Sequence, residues 1–199
     1  MMSRSPSLPF RNDPPPRGAG AATPQPGAPL TLVERAGADK LVVGVADLAV
    51  SRDASRTIIT YALGSCIGVT VYDPVAKVGG MLHFMLPESS VSVEKAAANP
   101  AMFGDLGIPL LFEKVALLGA KRERLVVCAA GGAEVLADDG HFRIGNRNRT
   151  ILRKIFWKQN LLLAADDTGG QHSRTMSMRL SDGAIAIRAQ GKESTLWPR

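Results

Sequence analysis

Residues 57–87 read TIITYALGSCIGVTVYDPVAKVGGMLHFMLP. Residues 57–63, 66–72 and 78–86 are rich in β-branched, aromatic and aliphatic side chains, and Gly64-Ser65 and Asp73-Pro74 punctuate them. The pattern predicts a strand, a short corner, and then a hairpin that turns at Asp-Pro. With the loop centred between Tyr72 and Val78, Cys66 falls opposite His83 or, one residue slipped, opposite Phe84. The first register gathers Ile67, Val69, Val71, Leu82, Phe84 and Leu86 on one aliphatic face; the slip mixes the two sets, which one-sided burial disfavours. The other face then carries Cys66, Gly68, Thr70, Met81, His83 and Met85. Directly paired residues share a face, with Cβ atoms roughly 4.5 to 5.5 Å apart, so a thiol and an imidazole can meet there.

Leu41 to Ala46 reads as a first strand before this segment. After it, Pro109 suits a first helical position and Gly119 a stop, with Leu111, Val115 and Leu118 on one face. Leu125 to Ala130 is a short apolar run that fits a buried strand entering the Gly131-Gly132 turn. A second helix is expected from a cap at Asn146 through Ile151, Leu152 and Ile155 to Asn160. Leu161 to Ala165, Arg174 to Leu180 and Ala184 to Ala189 read as strands, the last two joined at Asp182-Gly183. Mixed and antiparallel sheets with flanking helices make an α+β class. Eight of the 13 prolines lie in the first 30 residues, so residues 1–38 are expected to be a proline-rich disordered tail and 39–199 a single domain.

The chain has 199 residues, 45% of them hydrophobic, enough for one core. Its two cysteines, Cys66 and Cys128, fit neither a disulfide framework nor a Cys-x-x-Cys motif. No apolar run approaches the roughly 20 residues of a membrane span, and the N-terminus lacks a signal-like apolar region, so a cytoplasmic protein without membrane insertion is expected. Of the net charge of +6, most sits late: residues 141–199 hold 11 Lys plus Arg against four Asp plus Glu. Aromatic rings are too few there for a stacking platform, which argues against nucleic acid and for a solvated basic face able to steer an acidic partner.

A free thiol is a few per cent thiolate at neutral pH, and an adjacent imidazole can take its proton and later return it to a leaving amine. Cys66 and His83 are therefore a candidate nucleophile and base. Thr60, on the preceding strand, is a candidate for the group that orients the imidazole. Gly64 allows an unusual turn just before the nucleophile, so the Cys66 N–H, with Ser65, could face a developing oxyanion. Cys128 reads as core, His141 as a surface turn residue, and His172 as part of a glycine-rich loop without partners for a metal. Neither Gly131-Gly132 nor Gly169-Gly170 is followed by the Lys-Ser/Thr of a phosphate loop.

TYALGSC (60–66), VYDP (71–74) and GGMLHFMLP (79–87) closely resemble the chemoreceptor glutamine deamidase family, CheD, whose motif orders Thr, Leu-Gly-Ser-Cys, Tyr-Asp-Pro, Gly-Gly, His and Leu-Pro in this way. The likeness extends through Val43-Gly44-Val45, Gly131-Gly132-Ala133, Ile144-Gly145-Asn146-Arg147-Asn148, and Gly169-Gly170 with Arg174. It implies a triad of Cys66, His83 and Thr60, and a substrate-contacting role for the Asn146 to Asn148 segment, Asn148 above all. It implies glutamine side chains of methyl-accepting chemotaxis receptors as substrate, no metal or organic cofactor, and a fold like that of a toxin deamidase. A CheC-type phosphatase is a possible further partner in such a family. Relatives often carry a lysine within the run before Gly131 and a Gly at position 173, where this chain has apolar residues and Ser173. A protease or transglutaminase-like amidase would share the acyl-enzyme step, and a non-catalytic adaptor binding receptor or phosphatase through the basic face is the alternative of another class.

Overall fold

The edge of the first strand at Lys40 opens the part of the chain that the computed structural model describes, residues 40–134 and 143–198. The expected tail over 1–38 and His141 lie outside the described residues. One sheet runs in the order β1 (Lys40–Val43), β3 (Thr57–Leu63), β8 (Arg174–Arg179), β9 (Ile185–Ala189), β10 (Lys192–Trp197). The other runs β2 (Asp47–Ser51), β5 (Val78–Phe84), β4 (Ile67–Asp73), β6 (Val126–Gly131), β7 (Ala165–Thr168). β1–β3 and β6–β7 pair parallel and the remaining ladders antiparallel, so the sheets are mixed. The helices are α1 (Val93–Ala98), α2 (Gly104–Leu117) and α3 (Ile144–Lys158). The α+β class expected from sequence is what forms.

Alternation along β4 and β5 builds two cores. Ile67, Val69, Val71, Leu82 and Phe84 face α2 and α3, packing on Ile108, Leu111, Val115, Ile151 and Leu152. The opposite residues, Tyr72 and Met81, pack between the sheets with Ile58, Leu63, Met176 and Met178. The layers are therefore helices, then the β2-β5-β4-β6-β7 sheet, then the other sheet. A Cβ on Gly68 would come within 2.9 Å of Leu63 Cδ1, so that glycine is what lets the sheets approach beside the site.

The hairpin forms with the expected faces but a different register. Gly68, not Cys66, lies opposite His83, and Ile67 lies opposite Phe84. Asp73 joins the strand opposite Val78, because its carboxylate caps a tighter turn by accepting from the Val75 and Ala76 N–H groups. This slides the favoured pairing by two residues, which preserves every face. Other boundaries differ for similar local reasons. The expected strand Leu41 to Ala46 turns at Val45-Ala46 and continues as the unforeseen β2; Ala46 has φ 58. α2 begins at Gly104, with Pro109 inside it, since Gly104 and Gly107 let its first turns lie against Phe84 and Leu82. α3 begins at Ile144 rather than at an Asn146 cap: Gly145 fits against the Ala133 carbonyl, where a Cβ would sit at 2.4 Å. Leu161 and Leu163 pack on the helix-side core outside any strand, and β7 starts only at Ala165.

Candidate active site

The chain crosses from one sheet to the other at Gly64-Ser65-Cys66, between β3 and β4. A β-bulge at the end of β3, with Ala62 at φ 57, starts the crossing, and the Gly64 N–H bonds back to the Ala62 carbonyl. All three carbonyls of the corner are held. Gly64 O accepts from Ala133 N–H (2.8 Å), Ser65 O from Asn148 Nδ2 (3.0 Å), and Cys66 O from Gly132 N–H (2.7 Å). Gly131 has φ +104, and a Cβ there would meet Cys66 O at 2.3 Å, so the Gly131-Gly132 turn can touch the nucleophile corner only as glycine. The Ser65 and Cys66 N–H groups, by contrast, bond to no other described residue, and the Cys66 N–H faces its own sulfur.

Cys66 is half-buried and packs against the inter-sheet core, the side on which His83 also lies. It sits two residues before Gly68, the partner of His83, so the two are diagonal neighbours rather than directly opposed. Such neighbours are ordinarily roughly 7 to 8 Å apart at Cα, which side chains can span. His83 is fully buried. Its Nδ1 lies 2.7 Å from Thr60 Oγ1, across the gap between the sheets, and the Thr60 hydroxyl lies 2.8 Å from the Val43 carbonyl. A hydroxyl has one proton, and the carbonyl can only accept it. Thr60 therefore donates to Val43 and accepts from His83 Nδ1–H, which leaves His83 Nε2 as a bare lone pair. That nitrogen is buried and has no hydrogen-bond partner among the described residues.

Burial pushes the imidazole down to about 4 and pushes the Cys66 thiol up, opposed by its own backbone N–H. Both shifts favour the neutral forms, a thiol and an unprotonated imidazole.

α3 braces the corner. Asn148, fully buried, donates to Ser65 O and to Met85 O, both at 3.0 Å, and so ties the nucleophile corner to the end of β5. With both N–H bonds engaged it has no donor left for an oxyanion; its Oδ1 is buried without a partner among the described residues. The next residue, Arg149, lies across Gly132 and Gly169, reaches Glu134 at 3.2 Å, and has a buried Nε without a partner among the described residues. Backbone bonds from Gly169 to Gly131 and from Glu134 to Gly170 complete the scaffold.

The sequence singles out Thr60, Cys66, His83, Gly64, Ser65 and Asn148; the fold sets Thr60 against His83, Asn148 against Ser65, and Cys66 diagonal to His83. Sequence reading did not name the Val43 carbonyl, which carries no side-chain signal, or Arg149, whose only cue was the paired glycines it lies across. Cys128 is buried in the inter-sheet core, as expected. His172 is exposed, 3.1 Å from Gln190 Nε2, and among the described residues no cluster of His, Cys, Asp and Glu could hold a metal. No helix among them is long and apolar enough to cross a membrane.

A family model described as CheD chemotactic sensory transduction matches residues 85–189. A protein of Syntrophus aciditrophicus named probable chemoreceptor glutamine deamidase CheD 1 is 46% identical over 151 residues, covering 76% of this chain and 94% of the relative. A protein of Solibacter usitatus named probable chemoreceptor glutamine deamidase CheD is 46% identical over 160 residues, 80% of this chain and 95% of its own length. One of Pyrococcus abyssi with the same name is 39% identical over 151 residues, 75% and 91%. The family-model match begins just after His83, but an aligned stretch of 151 residues in a chain of 199 cannot avoid Thr60, Cys66, His83 or Asn148. The chain belongs to the CheD family.

Proposed function

We propose that this protein is a protein-glutamine deamidase that converts glutamine side chains of chemotaxis receptors to glutamate with release of ammonia. The observation that carries the reading is the orientation of His83: Thr60 holds its Nδ1–H, leaving Nε2 bare on the side of the sheet that Cys66 shares. Cys66 Sγ attacks the carboxamide carbon as its proton passes to Nε2. The C–N bond breaks and the imidazolium proton leaves with ammonia. Water then adds to the thioester, giving a proton to Nε2; the C–S bond breaks and the sulfur recovers that proton. The Ser65 and Cys66 N–H groups are the donors for the oxyanion of each tetrahedral intermediate, and Asn148 positions them by holding the Ser65 carbonyl. Water and substrate approach from the Cys66 side, since Cys66 is partly exposed and His83 fully buried.

Each turnover replaces a neutral amide by a carboxylate on the receptor, adding charge and a methylatable group. The names of the curated relatives support receptors as substrate. We propose further a cytoplasmic location, a domain over residues 39–199, and a CheC-type phosphatase as a second partner, the last supported by the family likeness alone. Mass spectrometry of a receptor cytoplasmic fragment after exposure to wild type, Cys66→Ala and His83→Ala is the test. Conversion of glutamine to glutamate with an intact backbone is expected for wild type alone; cleavage, crosslinking, or undiminished conversion by either variant would overturn the reading.

A further inference from the structure

α3 holds the nucleophile corner with one face and shows solvent an unbalanced charge with the other. Its 15 residues include five cations and no acid, and Arg143 caps it. Arg143, Arg147, Thr150, Lys154 and Trp157 recur at helical spacing and are exposed, with Arg153 and Lys158 beside them. Trp157 is 83% exposed. Only Lys154 of these cations has an ion pair among the described residues, a loose one with Glu88 at 3.3 Å. The arrangement works against the helix. Arg143–Arg147, Arg149–Arg153 and Lys154–Lys158 are like charges four apart, and the first two residues lie at the positive end of the helix dipole. A hollow of about 190 Å³ runs along this face between α3 and Pro87-Glu88, lined by Arg147, Thr150, Ile151 and Lys154. It starts two residues after Met85, whose carbonyl Asn148 holds together with that of the nucleophile corner.

We infer that this face docks an acidic, glutamine-bearing helix of the substrate, with Trp157 as the distal anchor and the Cys66 corner at the other end. The inference rests on the deamidase reading above. A helical surface offers no free backbone groups for strand addition, so recognition falls to side chains along the axis, the geometry that suits a second helix laid alongside. Five exposed cations select acidic side chains, and their approach relieves the repulsion within α3. A large, rigid, exposed indole is the side chain type that most often carries interface energy. From Arg147 to Trp157 the helix spans about 15 Å, enough for several turns of a helix laid alongside.

The test compares turnover of a receptor helical hairpin with that of a short blocked glutaminyl peptide, using the full chain, its Trp157→Ala variant and an Arg153→Glu/Lys154→Glu variant. Both variants are expected to raise KM for the hairpin by roughly tenfold or more, with kcat and short-peptide turnover held within about twofold, and to weaken the salt dependence of KM. An unchanged hairpin KM overturns the docking face. If wild type converts neither substrate, the deamidase reading fails separately, and binding of the hairpin to Cys66→Ala protein decides the docking: loss of binding on adding Trp157→Ala or the charge reversal upholds it, and retained binding overturns it. Binding of anionic vesicles or duplex DNA that depends on Trp157 and Lys154, while hairpin binding does not, overturns it in favour of another partner class.

Discussion

The two ends of the β4–β5 hairpin treat buried polar groups in opposite ways. At the turn, the carboxylate of Asp73 is fully buried and fully met: it accepts from the Val75, Ala76 and Lys121 N–H groups at 2.8 to 3.0 Å and from Arg124, whose Nη2 lies 2.6 Å away. Burial alone would raise its pKa, but the Arg124 guanidinium and these N–H groups hold it well below the usual carboxylate range. At the other end, His83 Nε2, Asn148 Oδ1 and Arg149 Nε are buried without partners among the described residues. An unmet buried group costs roughly 1 to 3 kcal/mol, so the fold concentrates that cost at the end where the proposed nucleophile and base lie. The turn end holds register; the open end is where the deamidase reading puts the chemistry.

The contrast is sharpened most by substitutions at the open end. Cys66→Ala and His83→Ala are each expected to cut turnover by on the order of 10⁴-fold with Tm little changed, and the double variant to be no worse than either alone, because the two act as one unit. Additive losses would show that they act independently. At the turn end the effect moves from rate to stability. Asp73→Ala leaves Arg124 and three N–H groups unmatched, and is expected to lower unfolding free energy by roughly 3 to 5 kcal/mol in urea titrations. Hydrogen exchange in Asp73→Ala should quicken at the turn before it quickens at Gly68. The reverse order would mean that the turn does not hold the register.

Acid titration separates the same two ends by pH. His83 is held near 4 against a reference of 6.5, so the unfolded chain binds its proton first. Stability from a neutral buried His83 is fully present above pH 6.5 and is lost as pH falls toward 4, a loss on the order of 3 kcal/mol. Asp73 has the same sign in a lower window: its contribution is intact above the unfolded carboxylate pKa and fades only below it. Urea midpoints at several pH values should therefore show two steps. His83→Gln removes the upper step and Asp73→Asn the lower; one unbroken slope unchanged in both variants would refute the assignment.

How legible these ends were differed for a physical reason. The faces of β4 and β5 follow from alternation, a property of period two that survives a register error, so Cys66 and His83 fell on the same side although their pairing was two residues off. Register depended on whether Asp73 belongs to loop or strand; the carboxylate that caps the local turn is also held by Lys121 and Arg124, about 50 residues away, which no local pattern displays. The same holds for the helix starts. Gly104 and Gly145 look like breakers in sequence, but each sits where a Cβ would collide with Phe84 or with the Ala133 carbonyl. The Val43 carbonyl carries no side-chain signal at all, and its part in setting the His83 tautomer appears only when β1 pairs with β3.

That carbonyl supports the smallest and most discriminating expectation. Thr60→Val keeps the shape of the side chain but removes the hydroxyl, so Val43 O loses its donor and His83 Nδ1–H loses its acceptor. The imidazole is then free to carry its proton on Nε2, the nitrogen that must receive the Cys66 proton. Turnover is expected to fall by roughly 10- to 100-fold in kcat, with KM on a short glutaminyl peptide little changed. A loss of packing alone would lower stability without altering how rate depends on pH. Loss of the tautomer lowers the plateau of kcat between pH 5 and 8, and Thr60→Ser, which keeps the hydroxyl, restores most of it. If Ser fails where Val fails, the methyl group rather than the proton relay is what Thr60 supplies, and the open end of the hairpin would be a packing feature like any other.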